Sequence, residues 1–153
     1  MITMKAKYAI KALARLAASA PGEPILIADI AEQEDIPKKF LEAILAELKQ
    51  HGFVRSRKGR GGGYLLAKVP AQITLASVLR ALDGPIAPVP CLSRTAYRRC
   101  DGCKDEATCA VRTVLRDAYA ASVEVLEQTT LADVAQNSEL LSKQPPATLR
   151  YSI

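Results

Sequence analysis

Over the first fifty or so positions, apolar residues recur at intervals of three and four, the repeat of a helix that buries one face. Ala9, Leu13, Leu16 and Ala17 predict a first helix that stops before Pro21-Gly22. A short second helix is expected from about Ile27 to Gln33. After the acidic turn Glu34-Asp35-Ile36, Pro37 suits the first position of a third helix, where its missing N–H costs nothing. The stripe of this helix is Leu41, Ile44, Leu45 and Leu48, and Gly52 is placed to close its end. Its opposite face carries Lys38, Lys39, Glu42 and Lys49. Two short helices joined by a tight polar turn, the second with a polar outer face, predict a helix-turn-helix.

The period then changes. Phe53-Val54-Arg55-Ser56 and Tyr64-Leu65-Leu66-Ala67 are short β-prone runs on either side of a basic, glycine-rich tip, which predicts a hairpin. Thr74 is placed to cap a fourth helix with the stripe Leu75, Val78, Leu79 and Leu82, ending at Asp83-Gly84-Pro85. A proline-broken segment leads to a stretch that holds every cysteine. A long helix is expected from about Asp105 to Gln128. Val111, Val114, Ala118, Ala121 and Val125 repeat along it like a coiled-coil seam, and Leu115, Tyr119, Ser122 and Leu126 form a second, mostly apolar face. Such a helix needs a neighbour on both sides: its own head on one, and on the other most simply the same helix of a second subunit. Thr130 with Asp133 predicts a capped terminal helix, and no periodicity survives from Lys143 onward.

A chain of 153 residues, 49% hydrophobic, suits one domain or a small domain with an extension, and its alanine and leucine content favours helices. The net charge of +5 makes a polyanion a fitting partner. Charge is concentrated in the hairpin, where Arg55, Arg57, Lys58 and Arg60 are followed by Gly61, Gly62 and Gly63. Cations there would meet phosphates, and glycines, having no Cβ, would let backbone lie close to a groove. A solvated basic loop without a partner is the plainer alternative, and the adjoining helix pair weighs against it. No apolar run is long enough to cross a bilayer, and the lysine-studded start lacks the apolar core of a signal peptide, so a cytoplasmic location is expected.

In a reducing compartment, clustered cysteines point to metal or redox chemistry before structural disulfides. Cys91, Cys100, Cys103 and Cys109 follow the pattern C-x8-C-x2-C-x5-C. Four soft thiolates could hold an iron–sulfur cluster, 2Fe-2S or 4Fe-4S, or tetrahedral zinc, or could work without metal as a thiol–disulfide switch. Arg98, Arg99 and Lys104 around the pair, and the expected place of Cys109 in the first turns of the long helix, favour the thiolate. A thiol oxidoreductase would need a βαβ context that the chain does not offer. Its only histidine, His51, reads as a solvated residue at a helix end, and no hydrolytic site suggests itself.

The segments Lys7–Ala17, Ile27–Lys68, the cysteine stretch and Thr130–Val134 together resemble the Rrf-two family of bacterial regulators, in particular its iron–sulfur cluster regulator branch. The resemblance implies a mainly α chain with a small β-hairpin. Its parts would be a winged helix-turn-helix head over 1–84, a cysteine-rich sensor loop over 85–108, a long dimerisation helix with a short terminal helix over 109–142, and a loose tail over 143–153. It further implies a homodimer on double-stranded DNA of roughly palindromic sequence, with no part at a membrane. Lys38, Lys39 and Glu42 would lie at the major groove. Lys58 and Arg60, with Gly61 and Gly62, would meet the minor groove, and Arg55 and Arg57 the phosphates. Arg60 stands where this branch often has proline. Cys91, Cys103 and Cys109 match the branch's three cysteines. Arg112 and Lys7 stand where some relatives have a fourth ligand, and neither can ligate iron. Cys100 is extra, so an all-cysteine site is expected.

Overall fold

The computed structural model of the chain describes residues 2–143; apart from Lys143, the expected tail lies outside them. The elements are α1 (Met4–Ala17), α2 (Ile27–Glu34), α3 (Lys38–Gln50), β1 (Val54–Arg57), β2 (Gly63–Leu66), α4 (Leu75–Asp83), α5 (Ala110–Gln128) and α6 (Leu131–Ser142). Single 3₁₀ turns occupy Pro70–Gln72 and Pro90–Leu92.

The helical stripes meet in one core. Ala9, Ala12, Leu13 and Leu16 of α1 pack with Leu41, Ile44, Leu45 and Leu48 of α3, joined by Ile30, Val54, Val78 and Leu131. Each such leucine, fully buried, contributes about 1.5–3 kcal/mol through the water it sheds. The cap residues set where helices begin. Thr3 accepts the Ala6 N–H and donates its hydroxyl to Asp83 at 2.6 Å, tying the start of α1 to the end of α4.

Asp35 makes the turn between α2 and α3 in the left-handed region, with φ 53°. The N–H groups of Asp35 and Ile36 return to the carbonyls of Glu32 and Ala31, and buried Ile36 locks the corner. Pro37 is the cap that precedes α3, one position earlier than expected. At the far end Gly52 has φ 72°, and the N–H groups of Gly52 and Phe53 bond back to Lys49 and Leu48. That closure turns the chain directly into β1 and drops Phe53 into the core.

β1 and β2 pair antiparallel, with Val54 opposite Leu66 and Arg57 opposite Gly63, each strand one residue off its expected place. Ile25 adds an isolated bridge to Tyr64, their two backbone bonds being 2.9 and 2.8 Å. The hairpin is thus anchored to the segment that leads into α2.

The C-terminal half is stitched to the head by backbone. Leu75 donates to the Thr129 carbonyl and Leu131 to that of Ile73, each at 2.9 Å, so the junction of α5 and α6 lies against the start of α4. Thr130 and Asp133 form the expected reciprocal cap, and Leu131 enters the head core.

The long helix starts later than its sequence pattern suggested. Asp105 accepts the Ala107 N–H and the Thr108 hydroxyl, and this local turn competes with helix, so α5 begins at Ala110 with Cys109 as its cap residue. Tyr119 and Val123 bury against the head, while Leu115 and Leu126 are half-buried. Ser122, expected on this face, is exposed and returns its hydroxyl to the Ala118 carbonyl; Val123 takes its place. Arg80 of α4 fastens the face to Glu127 at 2.6 Å. The other side is uncovered: Val111, Val114 and Val125 are 60, 74 and 62% exposed, and Ala118 and Ala121 are exposed too.

Candidate DNA-binding surface and cysteine cavity

α3 is held by its apolar stripe, so its polar side must face outward. Lys38, Lys39 and Glu42 are all exposed. Strand alternation sends Arg55 and Arg57 to one exposed face of β1, and Lys58 and Arg60 extend from the tip. Among the described residues, none of the cations Lys38, Lys39, Arg55, Arg57, Lys58 and Arg60 belongs to an ion pair. Their charge is left for a partner. Lys49, which the sequence put on the same outward face, donates to Ser56 at 2.7 Å and links α3 to the hairpin. Phe40 is a surface residue the sequence reading missed. It is 44% exposed on α3, with its ring edge-on to Tyr8 at 5.9 Å. Its only signal was an aromatic outside the stripe.

The glycines of the tip do different work. A Cβ on Gly62 would stand 2.3 Å from the Arg57 carbonyl oxygen, and one on Gly63 2.3 Å from that of Ile25. Gly62 is buried within the hairpin. These two serve the chain's own close approach, whereas Gly61, exposed with φ 74°, has open space beside it.

The four cysteines reach one place by three local devices. Cys91 sits in the second 3₁₀ turn and is buried. Cys100 and Cys103 lie on one tight turn, closed by the Cys103 N–H on the Cys100 carbonyl at 3.1 Å and by Gly102 at φ 72°. Cys109 precedes α5 as its cap residue, not within its first turn. All four are free thiols and line a cavity of about 240 Å³ together with Val89, Asp101, Glu106, Val111 and Arg112. Burial pushes the Cys91 thiol up, and the adjoining Cys100 thiol adds to this, while Arg112 pulls the other way.

Around the cavity, Tyr97 donates its hydroxyl to Glu106 at 2.6 Å, and Arg112 stands 3.8 Å from the same carboxylate. Arg112 reaches the Cys91 carbonyl at 3.5 Å, but its buried Nε has no hydrogen-bond partner. Among the described residues, no three His, Cys, Asp or Glu side chains stand close enough to hold a metal ion. The chemistry of the donor set nonetheless fits a thiolate-ligated centre. The cavity carries four soft ligands and one buried N–H without an acceptor, which suits an anionic occupant.

Residues 2–137 match the family model Rrf2, described as an iron-dependent transcriptional regulator. A Rhodobacter capsulatus protein, provisionally named an rrf2-like HTH-type transcriptional regulator, is 44% identical over 88% of this chain and 91% of its own. The HTH-type transcriptional regulator IscR of Yersinia enterocolitica is 31% identical over 92% of this chain and 82% of its own. The structure of CymR, the global cysteine regulator of B. subtilis, superposes with a TM-score of 0.76 at 30% identity. It covers 90% of this chain and 97% of that one. The helix-turn-helix, its attached hairpin wing and these likenesses agree: the chain is a winged-helix transcriptional regulator, not an enzyme, and belongs to the Rrf2 family.

Proposed function

We propose that this regulator acts in the cytoplasm as a homodimer that represses transcription from a roughly palindromic operator. In this reading the cysteine cavity sets its DNA affinity in response to iron–sulfur supply or thiol-reactive stress. One observation carries the reading: the cavity that gathers all four cysteines is walled by the start of α5, and Val111 belongs both to that wall and to the uncovered seam. What fills the cavity therefore bears on how two α5 helices meet. Two α3 helices must sit about one DNA turn apart, or a multiple of it, to engage both half-sites, so a small change at the seam is enough to shift the population of binding-competent dimers. A bound iron–sulfur cluster would supply a redox-labile group there. The adjoining Cys91 and Cys100 thiols favour a second reading, in which a disulfide between them is the signal and no metal takes part.

Anaerobic reconstitution with iron and sulfide is expected to give broad visible absorption and to change operator affinity at least tenfold relative to the metal-free dimer. A colourless protein whose affinity responds only to oxidant would establish the disulfide reading. One tightly bound zinc and an affinity indifferent to both treatments would overturn the sensing role. The wing has its own test. Lys58→Ala is expected to weaken binding across duplex sequences and to flatten the slope of log affinity against log salt by about 2 for a dimer, one per lost cation. An unchanged slope would take Lys58 off the DNA.

A further inference from the structure

The cysteine cavity contains an electrostatic imbalance that its thiols alone do not explain. When four thiols bind a metal, each gives up its proton, and a tetrathiolate centre with zinc or an oxidised 2Fe-2S core keeps a formal charge of about −2. The other acidic residues on the wall, Asp101 and Glu106, are of the same sign. Burying such charge without a counter-ion is costly, since solvent can no longer screen it. Arg112 is the cation among the cavity's described lining residues. Arg98 and Lys104 are exposed, and the exposed Arg99 spends a guanidinium N–H on the Lys104 carbonyl at 2.8 Å.

Arg112 is also incompletely used. It is 3.8 Å from Glu106, beyond hydrogen-bond reach, although Glu106 is itself engaged by Tyr97. Its contact with the Cys91 carbonyl is long, and its Nε is buried and unpartnered. An orphaned charged N–H is expensive, and here it stands on a wall crowded with sulfur. We propose that Arg112 is the built-in counter-cation of the tetrathiolate site: its guanidinium compensates the charge that the site acquires on loading, and Glu106 competes for it. The inference rests on the reading of the cavity as a metal site.

The two ideas can be tested together and fail separately. Cobalt(II) alone serves as the probe under anaerobic conditions, because thiolate-to-cobalt absorption reports ligation directly. The wild-type dimer is expected to develop those bands; if it does not, the metal-site reading itself fails. Given wild-type binding, Arg112→Met is expected to weaken cobalt affinity at least tenfold, and Arg112→Lys to recover most of it, because the charge is kept. Glu106→Gln supplies the sharper arm. A counter-cation freed from a rival carboxylate binds the site better, so affinity rises. If Arg112 and Glu106 merely latch the loop together, removing either partner weakens binding. Lower affinity in Glu106→Gln, or unaltered affinity in Arg112→Met with an unaltered melting curve, overturns the proposal. Should Arg112→Met fold poorly, the Glu106→Gln result decides alone.

Discussion

With Ala118→Glu and Ala121→Glu combined, the protein is expected to sediment as a monomer and to lose about 10²- to 10⁴-fold in affinity for an operator with two half-sites. The expectation begins with what α5 already has. One face is spent on the head, through buried Tyr119 and Val123 and the Arg80–Glu127 pair. The face bearing Val111, Val114, Ala118, Ala121 and Val125 is exposed, and the valines on it are more than half accessible. An apolar stripe at seam spacing, left open beside a satisfied face, is what a second copy of the helix would cover. Alanine at the middle positions lets two backbones come close. Glutamates there would place four carboxylates in the middle of one dry interface, with no cation of the seam to meet them.

Because Ala118 and Ala121 are exposed in the protomer, the substitutions should leave its own unfolding within about 0.5 kcal/mol of wild type. A monomer that melts normally and still binds a single half-site weakly would locate the loss in the pairing of heads. A double variant that sediments as a dimer would move the subunit interface off this seam.

The head of this protein was legible because its signals are local and periodic. Four apolar residues spaced along α3 fix which side is buried, and by default which side carries Lys38, Lys39 and Glu42. The reciprocal cap of Thr130 and Asp133 was readable for the same reason, since both partners lie within one turn. What escaped the sequence depends on side chains competing with backbone or on distant pairing. The start of α5 slipped to Ala110 because Asp105 captures nearby donors, and a helix-compatible pattern cannot reveal that competition. On the covered face Val123 is buried in place of Ser122 because it follows Tyr119 by four residues, on the same side of the helix, whereas the Ser122 hydroxyl returns to the Ala118 carbonyl. The convergence of the four thiols on one cavity depends on three separate turns. Spacing suggested a shared site and the family resemblance put Arg112 beside it, but nothing signalled that Glu106 would line it. The bridge from Ile25 to Tyr64 had no signal at all, being a single pair of backbone bonds between segments far apart in sequence.

That bridge gives Gly63 a role inside the chain itself, and leads to the largest expected effect on stability. Gly63→Ala should lower the unfolding free energy by about 3 kcal/mol or more, whereas Gly61→Ala, two residues away, should cost only about 1 kcal/mol. Gly63 has φ 147°, which an L residue rarely adopts, and its Cβ would lie 2.3 Å from the Ile25 oxygen and 2.6 Å from the Ile25 carbon. Both atoms are backbone, so neither can swing aside as a side chain would. Relief requires the Ile25 segment to withdraw, which breaks the two bonds it exchanges with Tyr64, each contributing about 1 kcal/mol. Gly61 has an unfavourable φ of 74° for alanine but no atom within 4 Å to collide with, so it shows the cost of conformation alone.

Such a loss is a large fraction of the roughly 5–15 kcal/mol that holds a small domain folded. It also falls on the wing. With Ile25 detached, the hairpin is held to the head by fewer contacts, and Arg55, Arg57 and Lys58 lose their fixed bearing relative to α3. Denaturant unfolding of both variants measures the first effect, and operator affinity at matched temperature the second. Equal stability losses at positions 61 and 63 would mean that left-handed geometry, not the close approach to Ile25, is what glycine provides here.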